Sequence, residues 1–94
     1  MTKKRLNLIK TKVKSFCRDV MIASVYPDKD NDFIAIINIS PSKRIPIARI
    51  YEYDSHWYIW WLRDNYRQSI ENFTAALKFF ELRVNRNWGS ICVA

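Results

Sequence analysis

Asp54, Ser55 and His56 stand in succession and combine the three side-chain types of an acyl-transfer triad. A triad works only when hydroxyl, imidazole and carboxylate converge, and neighbours on an extended chain point to opposite sides. The trio therefore reads as a polar turn with His56, the single histidine, at the surface. An RNA-cleaving site would need His56 to work with Arg63 or Arg67. Asp28, Asp30 and Asp32 have the spacing that opens a calcium loop, but Phe33 replaces the glycine at its sixth position and Ile39 the glutamate at its twelfth. That stretch reads as a solvated turn. Cys17 and Cys92 match no zinc or disulfide-framework spacing, and Cys17 reads as a buried reduced thiol. With one glycine, Gly89, no phosphate-cradling loop is available. The expectation is a non-enzyme with no catalytic residue, metal or cofactor and no small-molecule substrate.

What remains is binding chemistry. The 94 residues carry 16 Lys and Arg against nine Asp and Glu, a net charge of +7, and the excess is local. Lys3, Lys4, Arg5, Lys10, Lys12, Lys14 and Arg18 all precede the first acid, Asp19, and the rest of the chain is neutral. A localised field of one sign suits phosphates or an acidic protein surface. The second resource is aromatic: Tyr51, Tyr53, Trp57, Tyr58, Trp60 and Trp61 cluster within a few residues of one another, interleaved with Arg49, Arg63 and Arg67. Flat rings beside guanidinium groups can stack bases or anchor a protein interface.

These side chains need a scaffold, and the length supports one domain spanning 1–94, with residues 1–4 a frayed basic N-terminus. Over residues 5 to about 25, Leu6, Ile9, Val13, Phe16, Cys17, Val20 and Met21 recur at three- and four-residue spacing, the stripe of an amphipathic helix. Lys10, Lys14 and Arg18 then form one outward row. Residues 20–26 also fit a strand, and both assignments stay open. Phe33 to Ile39 is apolar throughout and predicts a central strand buried from both sides. Ile45 to Leu62 predicts a hairpin turning at Asp54-Ser55. Its core face is either Trp57, Ile59 and Trp61 or Tyr58, Trp60 and Leu62. Asp64 or Asn65 then caps a second helix with Ile70, Phe73, Leu77, Phe80 and Val84 inward. Ala75, Phe79 and Leu82 lie on its opposite side, an apolar face available to a partner or a second copy. The fold class expected is α+β: helix, three strands, helix, with the antiparallel sheet packed by the two helices.

That order resembles the double-stranded-RNA-binding domain in topology. The resemblance implies a basic start to the second helix, where this chain has Gln68, Ser69, Ile70, Glu71 and Asn72. The words Asp32-Phe33-Ile34-Ala35-Ile36 and Ile45-Pro46-Ile47-Ala48-Arg49-Ile50-Tyr51 look like the segment trailing the nuclease core in restriction-endonuclease-like proteins. The nuclease constellation of Asp and Glu-x-Lys is missing, so this likeness implies an accessory module of nucleic-acid machinery and no nuclease activity.

The function expected is a non-enzymatic nucleic-acid-binding module, with Lys3, Lys4, Arg5, Lys10, Lys14, Arg18, Arg49, Arg63 and Arg67 as contacts. The alternative is a small phage-type inhibitor or adaptor docking on a protein through Phe79, Leu82, Trp60 and Tyr58. The start shows no apolar signal segment, which favours the cytoplasm, and no apolar run is long enough for a bilayer. A membrane-surface role would need the stripe of the first helix, which the sheet also requires.

Overall fold

The computed structural model describes residues 3–89. Helix α1 spans Lys4–Phe16, strands β1 to β5 span Val20–Ser24, Asp32–Ser40, Lys43–Tyr53, His56–Trp61 and Tyr66–Ile70, and helix α2 spans Phe73–Trp88. The strands pair antiparallel with their neighbours in sequence, giving one sheet in the order β1-β2-β3-β4-β5. The α+β class and the helix-flanked antiparallel sheet are as expected. The count is five strands instead of three.

The two extra strands come from segments assigned to helices. The expected helix over 5–25 stops at Phe16, because Cys17 is extended (φ −155°, ψ 108°) and Val20–Ser24 pairs with β2. Val20 and Ile22 are buried while Met21 is exposed, the alternation of a half-covered strand. Residues 20–24 are therefore strand. The second helix begins at Phe73 and not after Asp64 or Asn65; Asn65 sits in a turn with φ 50°, and Asn72 caps the helix by accepting the Ala75 N–H at 2.9 Å. Ile70, expected on that helix, is a buried strand residue, and Leu77 is only half-buried; Ala76, Phe80 and Val84 form the inward stripe.

Helix α1 has no side-chain cap of its own, since Lys3 stands at its N-cap. Asp30, in the loop between β1 and β2, replaces it. Its carboxylate accepts the backbone N–H groups of Arg5 at 2.8 Å and Leu6 at 3.1 Å. An anion on the first turn satisfies orphan donors and meets the positive end of the helix dipole. Asp30 therefore ties α1 to the sheet and is no solvated turn residue.

Both helices lie on one face of the sheet. Ile9, Val13 and Phe16 of α1 meet Ala76, Phe80 and Val84 of α2 over Phe33, Ala35, Ile37, Ile50, Trp57, Ile59 and Trp61. Phe80 is the joint: it stacks on Trp61 (centroids 5.8 Å apart) and meets Phe16 edge-on at 6.2 Å. Lys12 and Glu81 add an ion pair between the helices at 3.1 Å. Strand β2 is not covered on both sides as expected, because only Phe33, Ala35 and Ile37 are buried while Ile34 and Ile36 lie on the other face. A bulge in β3 places Ile47 and Ala48 together in the core, next to Pro46, whose missing N–H suits the irregularity. Cys17 is buried as expected but is disulfide-bonded, not reduced. Bonding of a cysteine depends on tertiary approach, which spacing in the sequence does not reveal; Cys92 lies outside the described residues.

Replacing Asp30 by alanine removes the carboxylate that accepts two first-turn N–H groups of α1. Asp30→Ala is expected to lower stability by about 1–2 kcal/mol, read as a lower urea midpoint at unchanged slope.

Candidate nucleic-acid interface

With the helices on one side, no described element covers the other face of the sheet. Strand alternation decides what it carries. On β4, Trp57, Ile59 and Trp61 point into the core, so Tyr58 and Trp60 point outward, which settles the choice of hairpin face. The pairing register sets two rows across the outer face: Ile34, Arg49, Trp60 and Arg67 in one, and Asp32, Tyr51, Tyr58 and Ser69 in the next. The β3–β4 turn has positive φ at both Asp54 (51°) and Ser55 (64°), the two-residue geometry that matches strand twist. It places Tyr53, 69% exposed, opposite His56 beyond the second row.

The side chains of these rows hold one another. Tyr51 and Tyr58 stack at 5.5 Å with planes 21° apart. The Arg67 guanidinium lies over the Trp60 ring at 4.4 Å, and the Trp60 indole N–H donates to Asn65 Oδ1 at 3.1 Å. Arg49 approaches Tyr51 at 5.7 Å, and Asp32 accepts from both its Nε and an Nη. Asp32, read from sequence as part of a solvated turn, is thus a bidentate partner of Arg49. Tyr51, Tyr53, Tyr58, Arg67 and Ser69 line a recess of about 410 Å³. The surface offers rings to stack on and, in Arg67, one guanidinium seated over an indole with no ion pair among the described residues.

The N-terminal cations are elsewhere. Lys3 donates to the Lys29 carbonyl at 3.1 Å, and Arg5 packs over Trp57 at 5.3 Å and Phe73 at 5.9 Å, so both are structural. Lys4, Lys10, Lys14 and Arg18 are exposed on the helix side. The outward row is reduced to Lys10 and Lys14, because Arg18 lies past the end of α1. Arg63 sits after β4 with its guanidinium 5.5 Å from the Trp88 ring, away from Arg49 and Arg67. Phe79 (44% exposed) and Leu82 (53%) line a groove of about 750 Å³ with Gln68, Arg83 and Arg86. His56 bonds through Nδ1 to the Asp54 carbonyl at 2.9 Å, so the trio at the turn forms no relay.

No protein-family model, curated protein or solved structure matches this chain. Among the described residues, no cluster of His, Cys, Asp or Glu is arranged to hold a metal ion. No described helix is long and apolar enough to cross a membrane.

Ser69 was missed by sequence reasoning because residues 66–70 were assigned to a helix. The available signal was alternation: Arg67 and Ser69 against Tyr66 and Ile70. The division between faces has a direct test. Trp57→Ala is expected to cost about 3–5 kcal/mol as a core truncation, whereas Trp60→Ala, on the uncovered face, should cost about 1 kcal/mol or less. Chemical denaturation of the two variants measures the difference.

Proposed function

We propose that the chain is a non-enzymatic nucleic-acid-binding module whose contact surface is the uncovered face of the sheet. The observation that carries this reading is the set of Arg67 on Trp60 beside the Tyr51–Tyr58 stack, all fixed on paired strands. Rings at fixed positions accept bases, and a guanidinium seated over an indole, with no carboxylate paired to it among the described residues, keeps N–H donors for phosphate oxygens. Lys4, Lys10 and Lys14 stand on α1, on the opposite side of the sheet, so they attract a polyanion at long range without sharing one short contact with Arg67.

The two surfaces differ in salt dependence. Contact through Arg67 involves about one phosphate, because Asp32 closes the Arg49 fork, so log K for a single strand should fall with log salt at a slope of about −0.7; four phosphates on the helix cations would give about −3.6 on duplex. Fluorescence anisotropy with labelled oligonucleotides across a salt series reads this slope. Absence of binding at low salt rejects the proposal.

A second reading, a small inhibitor or adaptor docking on a protein, is favoured by the exposure of Phe79 and Leu82 beside a groove. Phe79→Asp leaves the core intact and should not change nucleic-acid affinity by more than about twofold, since this surface lies away from the open face. A stoichiometric protein partner that survives nuclease treatment in a pull-down and is lost with Phe79→Asp would establish the second reading instead.

A further inference from the structure

We infer that the recess on the open face takes one nucleotide of a single strand, with its base against Tyr58 and its phosphate on Arg67; this rests on the nucleic-acid reading above. Tyr51 is engaged by both Tyr58 and Arg49. Tyr58, by contrast, has no ring or cation against it among the described residues except Tyr51, and it lines the recess together with Ser69, its partner across the β4–β5 ladder. A second planar group can therefore stack on Tyr58. The two arginines also divide. Arg49 has its fork closed by Asp32, while Arg67 makes no ion pair among the described residues and lies on the recess wall. Arg67 is thus the phosphate ligand and Arg49 the residue that positions Tyr51.

Geometry then selects a single strand. Tyr58 and Trp60 are two residues apart on one strand, so their side chains stand about 6.7 Å apart, twice the 3.4 Å step between stacked bases of a duplex strand. Bases seated at successive ring positions must be unstacked from one another. A duplex keeps its base faces covered and offers these rings only its edges and backbone. The recess, about 410 Å³, is at the small end of ligand sites, which run from about 300 to 1,000 Å³, a size that suits one nucleotide better than two. The only acid on these rows is Asp32, and Arg49 neutralises it, so an anionic strand meets no opposing charge there.

The experiment is competition between labelled eight-residue oligothymidylate or oligouridylate and a short hairpin duplex, on the wild type, Tyr58→Ala, Tyr58→Phe, Arg67→Gln and a Lys10→Gln/Lys14→Gln variant. A single strand of either kind should bind at least tenfold more tightly than the duplex. Tyr58→Ala should weaken single-strand binding about 5- to 100-fold, and Tyr58→Phe, which keeps the ring, should restore most of it. Arg67→Gln should make the salt slope shallower by about 0.7, and the lysine pair should change single-strand affinity little. If Tyr58→Ala does not fold, Ser69→Glu, an exposed edge-strand change that puts a carboxylate in the recess, should abolish binding in its place. Equal affinity for duplex and single strand, or loss of binding only in the lysine variant, overturns this inference while leaving nucleic-acid binding intact. Self-association that Tyr58→Ala abolishes, with no oligonucleotide bound, overturns it by making a second copy the occupant, and removes the broader reading as well.

Discussion

Two helices cannot cover both faces of a five-stranded sheet when they sit side by side on one of them. Everything else in this molecule follows from that constraint. Phe80, wedged between Phe16 and Trp61, holds both helices to the same face. Asp30, at the β2 end of the β1–β2 loop, fixes the N-terminus of α1. The uncovered face must then satisfy itself, and it does so with rings lying on rings, guanidinium on indole and a closed carboxylate pair. Such contacts give rigidity without burying much area, the condition under which aromatic side chains stay in contact with water and remain ordered.

The hairpin of β3 and β4, with its turn at Asp54-Ser55, was legible because alternation and turn chemistry agree there. The ends of the helices were not. Val20 and Met21 extend the helical stripe of Ile9 and Val13 by coincidence of spacing, and nothing local stops the helix after Phe16; the hydrogen-bonded partner of that segment, Phe33 to Ile37, lies well along the chain. Pairing overrode local periodicity. Residues 66–70 failed for the same reason: five residues are too few for either period to declare itself, and their ladder to β4 decides. Of the candidate contacts, Tyr58, Trp60, Arg49 and Arg67 do come together on one surface, because they share the parity of one hairpin. The N-terminal cations do not join them, since charge in a sequence carries no information about which side of a sheet its helix will occupy.

The loop 28–32 shows how composition misleads. It reads as a run of acids in solvent, yet its members have separate structural roles: Asp30 caps a helix from a distance and Asp32 holds Arg49 in place, while Asp28 remains exposed. Arg5 is the converse case. It belongs by sequence to the basic cluster but lies over Trp57 and Phe73, where its stem and planar head cover apolar surface.

Strand β4 separates two kinds of information in alternate letters. Trp57, Ile59 and Trp61 are answerable to the core; Tyr58 and Trp60, lying between them, are answerable to whatever meets the open face. Neighbouring positions are thus under unrelated physical constraints, one set answering to shape complementarity inside and the other to the surroundings outside. Substitutions at the outer positions alter the chemistry of the surface while the inner positions preserve the scaffold, so this short strand can change its outward character without passing through an unfolded protein.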